Sequence, residues 1–487
     1  MVDPYRLTVP EIIAKIDNRE LTAEECLSSF LTRIRKIDGK INAFITINHE
    51  AAFQRAKNID KKVRNGERVG TLRGVCIAIK DNICTKGIPT TCSSKMLEHF
   101  IPNYNAYVID KLLEEDAIII GKTNMDEFAM GSTTENSFFG PTKNPWNLSY
   151  VPGGSSGGSA AAVSSCESVL SIGSDTGGSV RSPASFCSIV GLKPTYGVVS
   201  RYGLIAYANS LEQIGPMARN VKDLALLFNT MIGHDSMDST STSTPYSDYS
   251  TFLVDDITDF KLGVPKEFFG EGVDERVAKT VWKGIDKLEA LGATCEETSL
   301  STVKYALSAY YLIAMSEASS NLARYDGIRY GYSENSKSEN WNNFVSRNRG
   351  RGFGSEVKRR IILGTYALSA GYYDKYYIKS LQVRTKIRQE FIKTFNQFDV
   401  LIGPTMPIPP FKIGEKIEDP LALYMSDILT VPVNLVGCPA ISIPCGFVNN
   451  LPIGMQMISP PLREDLLLKA SYSFEQNSNL KDRGPKI

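Results

Sequence analysis

Two glycine–serine stretches hold the residue types for nucleophilic chemistry. One is Pro152-Gly153-Gly154-Ser155-Ser156-Gly157-Gly158-Ser159; the other, further on, is Gly173-Ser174-Asp175-Thr176-Gly177-Gly178-Ser179. Glycine lets backbone approach a ligand closely and adopt conformations closed to other residues. Hydroxyls beside unobstructed N–H groups suit a serine nucleophile and the negative oxygen it creates. A Ser-His-Asp triad needs an imidazole beside the nucleophile. The chain has only three histidines, His49, His99 and His234, and none lies in either stretch. Such a triad would have to recruit one from elsewhere in the fold. Gly153-Gly154-Ser155-Ser156-Gly157 matches a nucleophile elbow by letters, but no strongly apolar strand runs into it. Gly153 to Gly158 has the gap of a phosphate loop, yet Ser159 stands where lysine must follow. A flexible linker is opposed by context, because Ala160 to Val163 reads as helix and Ser168 to Ile172 as buried strand.

If no histidine serves these stretches, another base must be found, and Lys80 is the candidate. It ends Gly74-Val75-Cys76-Ile77-Ala78-Ile79-Lys80-Asp81-Asn82, which reads as an interior strand of a parallel sheet. Ligand sites in open α/β sheets collect at the carboxyl ends of strands. Burial there disfavours the ammonium, and a neutral lysine can accept a proton. The plain alternative is a surface lysine satisfied by water or by Asp81.

Lys80, the Gly153–Ser159 loop and Asp175-Thr176-Gly177-Gly178-Ser179 together resemble the amidase signature family. The likeness continues through Ser182-Pro183-Ala184-Ser185 and Gly191-Leu192-Lys193-Pro194-Thr195-Tyr196-Gly197, and covers the chain almost end to end. It implies a Ser–cis-Ser–Lys triad, with Ser179 as nucleophile, Ser155 as bridging serine in a cis peptide after Gly154, and Lys80 as base. The N–H groups of Thr176, Gly177, Gly178 and Ser179 would form the oxyanion hole. It also implies a single α/β/α domain over 1–487, a central mixed sheet of many strands covered by helices. N-terminal helices would span about 5–66, the signature core about 70–220, and a polar surface loop about 235–250.

Further segments resemble one branch of that family, the glutamine-hydrolysing subunits of tRNA-dependent amidotransferases. They include Ser316-Glu317-Ala318-Ser319-Ser320, Arg359-Arg360-Ile361-Ile362-Leu363-Gly364 and Ser426-Asp427-Ile428-Leu429-Thr430. The branch implies that an arginine, Arg359 or its neighbour Arg360, holds the glutamine carboxylate, a task for which a planar guanidinium is suited. Asp427 would hold the ammonium, with Tyr310 nearby. The implied partners are a B subunit carrying the tRNA site, with ATP and magnesium, and a small C subunit wrapping the A–B junction. No cofactor or metal is expected on this chain. The resemblance leaves open whether Glu-tRNA(Gln), Asp-tRNA(Asn) or both are served. A stand-alone amidase on other small amides shares the triad and is the rival reading.

These residues need a scaffold to position them, and the rest of the chain reads as one. Leu7 to Ile16 reads as helix; Thr22-Ala23-Glu24-Glu25 is a capping box opening a helix to about Arg35. Strands are expected over Asn42–Ile47, Ala117–Ile120, Phe260–Val264, Val400–Pro404 and Ile441–Pro444, the prolines marking strand ends. Helices are expected over Glu50–Arg64, Tyr107–Leu113, Asp274–Leu291 and most of Ser355–Asn396, with a break near Gly371. Alternation of this kind marks an α/β fold. Asp235 to Ser250, rich in Ser, Thr and Asp, reads as a solvated loop.

Composition excludes several classes. A net charge of +1 offers no basic face for gripping tRNA unaided. The clusters Lys61, Lys62, Arg64 and Arg347, Arg349, Arg351 are short and read as solvated. Nine scattered cysteines without a Cys-x-x-Cys pair argue against zinc, a redox pair or a secreted disulfide framework. No apolar run approaches the roughly 20 residues of a membrane span, and Met1-Val2-Asp3-Pro4 does not begin a signal peptide. A cytoplasmic enzyme is the expectation.

Overall fold

Apolar runs of strand length alternate with amphipathic helices, and the strands assemble into one mixed sheet of eleven. The computed structural model describes residues 3–243, 247–334, 340–480 and 483–487. In chain order the strands begin with β1 (Phe44–Ile47), β2 (Cys76–Lys80), β3 (Ile118–Thr123), β4 (Leu170–Asp175), β5 (Val190–Lys193) and β6 (Gln213–Ala218). Then come β7 (Lys261–Pro265), β8 (Thr294–Thr298), β9 (Val400–Pro404), β10 (Ala440–Val448) and β11 (Leu451–Ile458). Their spatial order is β1-β3-β2-β4-β6-β5-β10-β11-β9-β7-β8.

β2 runs parallel between β3 and β4, and β7 parallel between β9 and β8. The other pairings are antiparallel. Every residue of β2, β3, β4 and β6 is buried, so both faces of the sheet centre are covered. This is the expected α/β/α architecture. β8 sits at an edge and alternates polar and half-buried residues, which blunts that edge.

Thr22 caps the helix Ala23–Ile41, accepting from the Glu25 N–H while Glu25 returns to the Thr22 N–H. That helix runs past the expected end near Arg35, because Ile37 and Ile41 continue its buried stripe until Asn42 turns left-handed at φ 61°. Gly371, at φ +84°, breaks the long helical stretch between Ser355–Leu368 and Lys379–Thr394.

Three expectations are corrected. Pro444 does not end its strand; β10 continues to Val448 through a register shift between Pro444 and Gly446. The 235–250 stretch is tethered: Ser200 donates to Asp235 at 2.6 Å and the Arg201 N–H to Asp238 at 2.8 Å. Thr244 to Tyr246 of that stretch lie outside the described residues. Within the second basic cluster, Arg349 donates to the Leu322 and Tyr325 carbonyls at 2.8 and 2.9 Å, so it ties helices together rather than facing solvent. Among the described residues, no helix is long and apolar enough to cross a membrane, and all nine cysteines are free thiols.

Candidate active site

Parallel pairing brings the carboxyl ends of β2 and β4 side by side, and each end delivers a polar group. Lys80 ends β2, and Ser174-Asp175 ends β4. Lys80 Nζ lies 2.8 Å from Ser155 Oγ, 3.0 Å from Ser174 Oγ and 3.1 Å from the Ser174 carbonyl oxygen. All three neighbours are uncharged. The lysine is completely buried. Burial lowers its pKa to about 7, against the partial opposition of Asp126 and Asp175, which stand further off. The three histidines, by contrast, are exposed.

Ser155 follows a cis peptide bond from Gly154. Its carbonyl accepts the Asp126 N–H at 3.2 Å. The Asp126 carboxylate gathers the N–H groups of Thr134 at 2.8 Å and of Thr133 and Asn136 at 3.2 Å. The chain beyond Ser155 winds into the buried helix Gly157–Ser164, so this stretch is a structured turn and no linker. The Ser156 N–H donates to the Ser179 carbonyl at 3.1 Å and so joins the two stretches. No hydrogen bond joins the Ser155 and Ser179 hydroxyls among the described residues. Ser179 keeps 7% exposure, whereas Lys80 and Ser155 have none, so the proposed nucleophile stands on the open side.

A buried ion pair shapes the turn before Ser179. The Arg181 guanidinium grips both oxygens of Asp175 at 3.0 Å and donates to Gln456 and Asn434 at 2.6 Å. Burial would raise the Asp175 carboxyl, but Arg181, Lys193 and Asn434 together outweigh it and hold the group well below the carboxylate range. Asp175 in turn accepts the N–H groups of Gly178 at 2.8 Å and Val180 at 3.1 Å. The oxyanion-hole expectation for Gly178 is therefore corrected, since its N–H is already committed. Those of Thr176, Gly177 and Ser179 have no acceptor among the described residues. Glycine is required at 177 and 178. A Cβ at Gly177 would lie 2.4 Å from the Tyr310 hydroxyl, and Gly178 adopts φ +129° against Thr430.

Tyr310 thus touches the turn that carries Ser179. On the adjoining residue, the Tyr311 hydroxyl donates to Asp427 at 2.8 Å, as does Ser132. Both bonds fall on Asp427 Oδ2. Burial raises the Asp427 carboxyl to about 6. Of the two candidate arginines, Arg360 is the one that packs against this group. Both residues lie in the helix Ser355–Leu368, and one step turns a side chain from the surface to the interior. The Arg359 side chain is 40% exposed and reaches Glu356 from the solvent side. Arg360 is buried, donates to Glu356 and Tyr207 at 2.7 Å, and lies over the rings of Tyr207, Tyr311 and Tyr424.

Reasoning from the sequence missed Ser174, Asp126, Arg181, Ser132 and Tyr311. Ser174 and Arg181 sit inside or beside the second glycine stretch, so adjacency was a usable signal. Ser132 and Tyr311 have none, because they meet Asp427 only through the fold. Among the described residues, no three His, Cys, Asp or Glu side chains gather as a metal site requires.

The chain belongs to the amidase family, whose description, Amidase, matches residues 25–468. Within it the likeness is to one kind of member. The chain is 57% identical over 479 residues to the A subunit of glutamyl-tRNA(Gln) amidotransferase from Methanosarcina mazei, covering 98% of each chain. It is 55% identical over 483 residues to the protein of the same name from Carboxydothermus hydrogenoformans, covering 99% of each. The crystal structure of the glutamyl-tRNA(Gln) amidotransferase A subunit from Thermotoga maritima superposes with a TM-score of 0.82 at 40% identity. It covers 98% of this chain and 96% of that one.

Proposed function

We propose that this chain is the glutamine-hydrolysing subunit of a tRNA-dependent amidotransferase, and that Ser179, Ser155 and Lys80 carry out the acyl transfer. The observation that carries this reading is the environment of Lys80, a fully buried amine whose hydrogen-bond partners among the described residues are uncharged oxygens, one of them the Ser155 hydroxyl. Neutral Lys80 takes the Ser155 proton while Ser155 takes the Ser179 proton. Ser179 Oγ attacks the side-chain amide carbon of glutamine. The free N–H groups of Thr176, Gly177 and Ser179 stabilise the negative oxygen. The intermediate collapses with a proton returned through Ser155 to the leaving nitrogen, releasing ammonia and leaving a glutamyl ester on Ser179. Water activated by the same relay frees glutamate.

Recognition falls to the second group. Arg360 is the cation for the glutamine carboxylate, Asp427 the anion for its ammonium, and Tyr310 the wall between recognition and reaction. Identity of more than half, over nearly the full length, to chains named as the A subunit of glutamyl-tRNA(Gln) amidotransferase supports this substrate. In this reading, B and C subunits complete a heterotrimer in the cytoplasm. The B subunit holds ATP, magnesium and tRNA, in keeping with the net charge of +1 on this chain. The test is ATP-dependent amidation of Glu-tRNA(Gln) and Asp-tRNA(Asn) by the chain purified with B and C subunits. Glutamine-driven product supports the reading. Strong partner-independent hydrolysis of amides lacking an α-amino-acid group, with no transamidation, replaces it with a stand-alone amidase.

A further inference from the structure

Ser174 occupies a position no part of the relay yet uses. Two of the three oxygens around Lys80 Nζ belong to it, the hydroxyl at 3.0 Å and its own carbonyl at 3.1 Å. The third belongs to Ser155 at 2.8 Å. A neutral amine has two N–H donors and one lone pair; an ammonium has three donors and none. The Ser174 carbonyl can only accept. The Ser174 hydroxyl also accepts from Asn82 Nδ2 at 3.0 Å, and Asn82 is itself buried two residues beyond Lys80. With both N–H groups of the neutral amine on Ser174, the lone pair is left for Ser155. After proton transfer the same three oxygens accept all three ammonium protons, so no neighbour has to move.

We propose that Ser174, braced by Asn82, is a positioning residue that aims the Lys80 lone pair at the Ser155 hydroxyl. This rests on the triad reading above. The net worth of one hydrogen bond is about 0.5–1.5 kcal/mol, so losing the hydroxyl should slow turnover by up to about tenfold. The amine would also rotate among protonation-incompetent orientations. An ammonium gains more from an acceptor than a neutral amine does. Removal of the Ser174 hydroxyl therefore shifts the acid limb of the pH profile to lower pH. The other ionisable groups whose field reaches Lys80, namely Asp126, Asp175, Cys92 and Glu212, form no hydrogen bond with Nζ and are left in place.

The experiment uses the assembled complex and follows glutamine hydrolysis from pH 5.5 to 9 for Ser174→Ala, Ser174→Thr and Asn82→Ala, with Ser179→Ala beside them. Ammonia-driven transamidation, which needs no triad, reports folding and assembly. The expected result for Ser174→Ala is a kcat lower by about twofold to tenfold, an unchanged KM for glutamine and a displaced acid limb. Ser174→Thr should restore both, and Asn82→Ala should show a smaller loss in the same direction. Wild-type kcat and pH profile in Ser174→Ala overturn the inference. So does loss in Ser174→Ala with ammonia-driven activity intact but no displacement of the limb. If Ser174→Thr does not assemble, the decision passes to Asn82→Ala, where an unchanged kcat and limb overturn it. Glutaminase activity persisting in Ser179→Ala defeats the triad reading itself, an outcome separable from all the others.

Discussion

Lys80 and Arg360 are both basic side chains with 3% exposure or less, and their surroundings treat them in opposite ways. Lys80 touches three neutral oxygens and no carboxylate, and burial lowers its pKa to about 7. Burial pulls on Arg360 too, but Tyr207, Glu356 and Tyr311 outweigh it and hold the guanidinium charged above its ordinary value. Burial alone therefore does not set the charge state. A buried cation keeps its proton when an anion is in contact and gives it up when only dipoles are. In the proposed mechanism the reacting half needs a cation that can become a base, and the recognising half needs one that cannot. The choice of residue agrees, since arginine does not deprotonate in proteins.

The sharpest break of this contrast is at the nucleophile. Ser179→Ala should reduce glutamine-driven transamidation on the order of 10⁴-fold or more while ammonia-driven product forms at its usual rate. Loss of both would mean disrupted assembly. Next in size, Lys80→Arg puts a permanently charged group in the base's place. A fall of about 10²–10⁴ in kcat is expected, the usual scale of general-base catalysis, and near-normal turnover would end the neutral-lysine account.

On the recognition side the effect moves to KM. Hydrogen bonds to charged groups are worth about 1.5–3 kcal/mol. Arg360→Lys should therefore raise KM for glutamine about 10–100-fold, while Arg359→Lys leaves it within about threefold. A reversed order would return the carboxylate to Arg359.

The smallest effect separates the halves by pH. Below about pH 7 Lys80 gains a proton and ceases to be a base, so kcat should fall with acid through that point. Asp427 becomes neutral only as pH drops through about 6, so KM should rise there. Coincident midpoints for kcat and KM would argue that one group governs both.

The two halves also differ in how well the sequence announces them. The reacting half is local. Glycines at 177 and 178 are demanded by Tyr310 and Thr430 pressing on the turn, and such demands leave letters in the sequence. The capping box at Thr22 and the apolar run into Lys80 were legible for the same reason, because near neighbours determine them. The proposed recognition group is assembled from Tyr207, Ser132, Tyr311, the helix Ser355–Leu368 and the turn at Asp427, which only the fold brings together. Nothing in Arg359-Arg360 tells which residue faces inward, because helix phase is set by packing. Pro444 was misread for a related reason: a register shift accommodates it within β10, and partner strands decide where such shifts fall. Asp235 and Asp238 looked like solvated loop residues because their partners, Ser200 and Arg201, come from a distant segment.

The base itself can be titrated. Lysine labelled with ¹³C at Cε, observed by NMR in the assembled complex and assigned by difference against Lys80→Arg, should show one amine with a midpoint near pH 7. An amine at position 80 still protonated at pH 9 would contradict the account.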